Sequence, residues 1–217
     1  MNAPTQFVII LLLLNTFALL STGSMKILIR LTATQGMLLA LMPLIMPMSR
    51  DFAPILFFCL TVFGIKGLGL PWLLKRTLRR AIKEAQPAPG FGYNLSLLAG
   101  VLALIFSLWL ERRLPVVAPD FFPFLLFPAA FCTVFTGFVL IAGRMKAVTQ
   151  IIGYLVAENG IFILSLPLLS AAGGFSLEML ILLDALAAVL VMGIAIDHIR
   201  DAFESTDVGR LSMLKDL

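Results

Sequence analysis

The chain has 217 residues, 60% of them hydrophobic and 13% charged, with a mean hydropathy of +1.05 and a formal net charge of +4. Soluble domains are about 45–50% apolar and about 25% charged, so this composition excludes a soluble globular domain and specifies an integral membrane protein. The positive balance comes from loops between apolar runs. It therefore reports topology rather than a nucleic-acid partner.

The apolar runs are continuous, which predicts an all-α fold, because a barrel strand alternates over roughly ten residues. The first run, about residues 7–24, has the length of a signal peptide and ends on small residues, but Lys26 and Arg30 follow it rather than precede it. It is expected to be a retained helix with its N-terminus outside. A second span covers about residues 27–48, where Pro43 and Pro47 are expected to introduce kinks. The third, about residues 52–74, contains Lys66 within the glycine-rich Gly64-Ile65-Lys66-Gly67-Leu68-Gly69, whose spacing does not suit a phosphate loop. A strongly basic loop follows and ends at Pro87-Ala88-Pro89-Gly90. Further spans are expected at about residues 93–110, 121–142, 148–170 and 177–196, and a polar tail closes the chain. The organisation is thus residues 1–147 with five helices, 148–197 with two helices and their acids, and 198–217 as a cytoplasmic tail.

Basic residues test this layout. Lys26, Arg30, Lys75, Arg76, Arg79, Arg80, Lys83, Arg144, Lys146, Arg200, Arg210 and Lys215 fall on one side, and only Arg50, Arg112 and Arg113 on the other. Such an asymmetry predicts about seven spans, with the N-terminus out and the C-terminus in.

Ionisable side chains within the apolar runs carry the functional signal. At about 100° per residue, Gln150, Tyr154, Glu158, Ile161 and Ser165 share one helical face. A charged side chain at the bilayer centre costs roughly 2.5–3.5 kcal/mol on insertion scales, so this stripe must meet protein, water or a partner charge. Glu158 is either an acid bonded to a neighbouring helix or a carrier of protons or ions. Burial and a nearby cation act on it in opposite senses, the balance that lets an acid exchange protons near neutral pH. Asp184 shares a face with Ala188, Val191, Ala195 and His198. It is an interfacial acid or a second relay group, and His198 is an ordinary interfacial histidine or a proton relay. Lys66 either snorkels along its long stem or pairs with an acid on another helix. Gln35, beside Thr34, either lines a hydrated path or bonds between helices.

Cys59 and Cys132 lie within apolar runs and read as packing residues. With a single histidine they cannot build a zinc or iron–sulfur site, so no metal and no cofactor is expected in this chain. No nucleotide-binding or hydrolase motif occurs.

Gly153-Tyr154-Leu155-Val156-Ala157-Glu158-Asn159-Gly160 resembles the Gly-Tyr-x-x-x-Glu-Asn-Gly segment of the hydrogenase-4 component E family. The acidic, alanine-rich stretch 184–192, the tail 206–215, and a lysine in the third span followed by Pro71 resemble that family as well. The last three helices are similar to subunit K of NADH-quinone oxidoreductase and to the corresponding three-helix component of Mrp-type sodium/proton antiporters. Glu158 matches the first intramembrane acid of that shorter family, and Asp184 stands where its second would be. The shorter family usually has an asparagine a turn after its first acid. Here Phe162 occupies that position and Asn159 adjoins Glu158, a departure that agrees with component E.

The resemblance implies a subunit that is not an enzyme by itself, in a multi-pass arm of a bacterial or archaeal cytoplasmic membrane. Its partners would be antiporter-like subunits, a hydrogenase-docking membrane subunit and peripheral hydrogenase and iron–sulfur subunits. Those partners would carry the nickel–iron centre and the clusters. Glu158 and Asp184 would relay protons or sodium, Lys66 would modulate them, and Tyr154, Gln35, Gln150 and His198 would be accessory. The alternatives are a purely structural link between subunits, membership of an Mrp-type antiporter, and a free-standing transporter. Against the last, the chain shows no inverted repeat and no glycine-broken helix pair.

Overall fold

A computed structural model of the chain describes residues 3–46, 52–77, 92–113, 125–143 and 147–171. Every regular element among them is helical: α1 (Ala3–Ser21), α2 (Met25–Ile45), α3 (Phe52–Val62), a π-helical segment (Phe63–Gly69), α4 (Leu70–Thr77), α5 (Tyr93–Glu111), α6 (Leu126–Gly143) and α7 (Ala147–Ala171). The segment from α3 through α4 forms one continuous span, so among the described residues six segments are long and apolar enough to cross a membrane. The protein is a polytopic helical membrane protein. The six expected spans in this range are all present, with ends displaced by a few residues. The expected seventh span, with Asp184 and His198, lies outside the described residues, as do Pro47 and the basic loop after the third span.

Local chemistry explains the element boundaries. Only residues 22–24 separate α1 from α2, which forces an antiparallel hairpin. In α2, Pro43 is followed two residues later by the helix end at Ile45. Pro128 falls in the first turn of α6, where its missing N–H would be an orphan in any case. The π-helical segment has a clear cause. Pro71 has no N–H, and its ring clashes with the carbonyl four residues back, that of Gly67. The ladder widens instead, and the Leu70 N–H donates to the Ile65 carbonyl, five residues back.

Helix packing sets the layers. α2 contacts α1, the third span and α7, and α6 contacts α1, α5 and α7. The α6–α7 pair is closest. A Cβ added at Gly137 would lie 2.5 Å from the Gly153 carbonyl oxygen, and one at Gly160 would lie 2.6 Å from the Val134 nitrogen. Small residues let these backbones approach where lipid supplies no hydrophobic drive.

Two apolar clusters fill the bundle. One includes Ile9, Leu12, Leu39, Met42, Phe58, Leu126 and Phe162. The other includes Leu19, Met25, Leu28, Ile29, Leu74, Leu140 and Leu155, at the end where Lys26, Arg30 and Lys75 are exposed. A layer of polar side chains lies between them.

Candidate functional site: a buried ion pair on an amide ladder

That polar layer is built on five helical segments. Lys66 projects from the π-helical segment and is buried. Its ammonium lies 3.6 Å from Glu158 Oε1, an ion-pair distance, with side-chain exposures of 3% and 12%. It also donates a hydrogen bond to Asn159 Oδ1 at 3.2 Å and sits 4.9 Å from the centre of the Phe162 ring. One lysine reaches both residues because neighbours on a helix point about 100° apart. Asn159 faces the bundle, and Glu158 stands at its margin.

From Lys66 the hydrogen bonds run inward. Asn159 Nδ2 donates to Gln35 Oε1 at 3.2 Å, and Gln35 Nε2 reaches Thr16 Oγ1 at 3.5 Å. The Thr16 and Thr133 hydroxyls lie 3.2 Å apart, and each donates to a carbonyl one turn back, those of Leu12 and Ala129. Every member from Lys66 to Thr133 is buried. Amides do not titrate near neutral pH, so the ladder holds the ammonium in place without carrying protons onward by ionisation.

Close backbone approach makes the site possible. A Cβ at Gly36 would lie 2.7 Å from the Lys66 carbonyl oxygen, so α2 can meet the π-helical segment there only without a side chain. Phe162 stacks on Phe58 with ring centres 5.9 Å apart, closing the side of Lys66 away from the basic end. On the other side lies a small cleft lined by Ile29, Thr32, Lys66, Leu70, Pro71, Leu74, Leu155 and Asn159. The space in it open to the centre of a water molecule is about 10 Å³.

Several sequence expectations meet this geometry. Lys66 pairs with an acid and does not snorkel. Gln35 bonds between helices. The polar stripe, expected to meet protein, water or a partner charge, meets Lys66 through Glu158, while several of its other members lie on the outer flank. Tyr154 is 44% exposed, Gln150 and Ile161 are exposed, and only Glu158 reaches the polar layer. The reason is that the glycines of α7 turn the opposite flank toward α6. Asp184 and His198 lie outside the described residues. Cys59 and Cys132 are buried free thiols. Among the described residues, no group of three or more histidine, cysteine or acidic side chains is placed to hold a metal.

Asn159, Thr16 and Thr133 are the site residues that sequence reasoning passed over. Asn159 carried a usable signal, because an amide inside a span needs a partner as surely as an acid does. The threonines carried none, since a threonine can bond its own helix.

The fold and this buried pair define a multi-pass helical membrane protein with an intramembrane ionic centre. Over 200 aligned residues the chain is 30% identical to an uncharacterized protein of Mycobacterium tuberculosis strain H37Rv, Rv0085, covering 88% of this chain and 87% of that one. The chain belongs to the family of that mycobacterial protein. No family model matches it, and no solved structure matches it.

Proposed function

We propose that the protein is a non-catalytic membrane subunit of a hydrogenase-4-type, complex-I-like respiratory assembly, in which it carries part of a proton or sodium path. The observation behind this reading is the Lys66–Glu158 pair at 3.6 Å inside a membrane bundle. Ionisable groups within spans are costly and mark ion pathways more often than they mark simple packing. The segment around Glu158 resembles component E of hydrogenase-4, which supports the same reading. The exposed flank carrying Tyr154 and Ile161 suits contact with a neighbouring antiporter-like subunit. The nickel–iron centre and iron–sulfur clusters would belong to peripheral partners, and the membrane would be a bacterial or archaeal cytoplasmic membrane. Asp184 would be the second relay group.

Chemically, a lysine and a glutamate at this distance form a charge-exchange unit. Protonation of Glu158 removes the partner charge of Lys66 and weakens its hold on the ammonium. Glu158→Gln keeps the shape of the side chain but cannot ionise. In assembled complexes this variant should retain electron transfer and lose most ion translocation. Full coupling in the variant would reject the reading.

The amide ladder favours a second reading, in which the protein only locks helices together between its partners. A fully bonded buried network stiffens a bundle whether or not ions move. In that case Glu158→Gln complexes would assemble and pump as the parent does.

A further inference from the structure

The two sides of Lys66 along the membrane axis are built differently. Toward one end the stacked rings of Phe58 and Phe162 close over the ammonium. Toward the other, Lys66, Leu70 and Leu74 line a cleft on successive turns of the third span. Ile29 and Thr32 of α2 and Asn159 of α7 complete its walls. Ile29, one turn from Lys26, and Leu74, next to Lys75, carry the lining toward the end where Lys26, Arg30 and Lys75 are exposed.

The cleft fits about one water. A water needs about 10–15 Å³ for its centre and two to four polar partners, and the cleft offers about 10 Å³. Lys66, Asn159 and Thr32 supply polar groups. The Thr32 hydroxyl gives its proton to the Leu28 carbonyl at 3.0 Å, so its oxygen remains an acceptor. Aliphatic walls with a few polar groups at the blind end suit a narrow water passage rather than an organic ligand.

We infer that this cleft is the water entrance to the buried ion pair, opening at the basic end of the bundle and closed at the opposite end by the Phe58–Phe162 stack. The inference deepens the transport reading and rests on it for its purpose.

Silver ion, a thiol-reactive cation close to water in size, tests the entrance. The full chain is produced in bacterial membranes with Cys59→Ala and Cys132→Ala, and Thr32→Cys is introduced. Vesicles of both orientations are treated with silver nitrate, and the thiols left unreacted are counted by alkylation after denaturation. A separate Lys26→Cys chain identifies the vesicles that expose the basic end. A chain retaining native Cys132, buried between α5 and α6, serves as the dry standard. Thr32→Cys should react at least tenfold faster from the basic side than from the other side and than Cys132 does. Adding Leu70→Trp should slow it by at least tenfold. Reaction as slow as that of Cys132 from both sides, or faster from the opposite side, would overturn the entrance. If Thr32→Cys does not accumulate, Ile29→Cys on the same wall is read by the same outcomes. The measurement reads water and not pumping, so it stands apart from the Glu158→Gln coupling test.

Discussion

The two halves of the bundle each hold an apolar cluster but differ in how they close. In the half remote from the basic residues, Phe58 and Phe162 stack and Ile9, Leu12, Leu39 and Met42 pack without exposure. In the basic half, Leu155 and Leu74 are buried too, yet both border a cleft that reaches Lys66. The polar layer between them is therefore asymmetric, sealed on one side and approached by water-sized space on the other. Hydrophobicity alone would not create this difference. A stacked aromatic pair does so on one side, and the widened turn before Pro71 does so on the other.

Three sets of substitutions break or sharpen that contrast, each read as a change in unfolding stability of the purified protein in detergent. Phe162→Ala removes both the stack and the ring beneath Lys66, and large core aromatics cost about 3–5 kcal/mol when truncated. Leu155→Ala, on the same helix in the half bordering the cleft, should cost about 2 kcal/mol, the low end for a buried leucine, because part of its surroundings is already empty. Equal losses at the two sites would erase the distinction between the halves. Asn159→Leu strikes the layer itself, taking the acceptor from Lys66 and the donor from Gln35. Each unsatisfied buried polar group costs about 1–3 kcal/mol, so a loss of about 2 kcal/mol is expected. Leu98→Ala, on the outer face of α5, should change stability by less than about 0.5 kcal/mol.

The last substitution illustrates why some of the fold was readable and some was not. Spans follow from runs of apolar residues, so their number and rough limits are legible without knowing any contact. Which face points inward is a different question. In α5 the buried residues are Ser96, Gly100, Ala103 and Ser107, while Leu95, Leu98, Leu102, Phe106 and Trp109 are exposed. That is the reverse of a soluble helix, since lipid welcomes large apolar side chains and close packing selects small ones. The same rule, applied to α7, would have turned Gly153, Ala157 and Gly160 inward and placed Asn159 beside them. The polar stripe instead draws attention to Glu158 and says nothing of the flank that packs against α6.

The centre of the site was partly legible for similar reasons. Lys66 and Glu158 stand out because a charge in hydrocarbon demands an explanation. Their partnership was not legible, because it depends on a three-dimensional contact between residues 93 positions apart on the amide side and one fewer on the acid side. Nor was the π-helical segment, although Pro71 and the three glycines before it were in plain view. A regular period of about 3.6 residues gives no warning that one turn of the third span is wider than the rest.

The most direct test of the ionic centre is a double-mutant cycle between Lys66 and Glu158. Lys66→Met leaves a buried carboxylate without its cation, and breaking one partner of such a pair costs about 3–5 kcal/mol. Combining it with Glu158→Gln removes the stranded charge, so the double variant should recover at least half of that loss and show strong coupling. Losses that simply add, with no recovery in the double variant, would mean that the two side chains do not sense each other and would contradict the account.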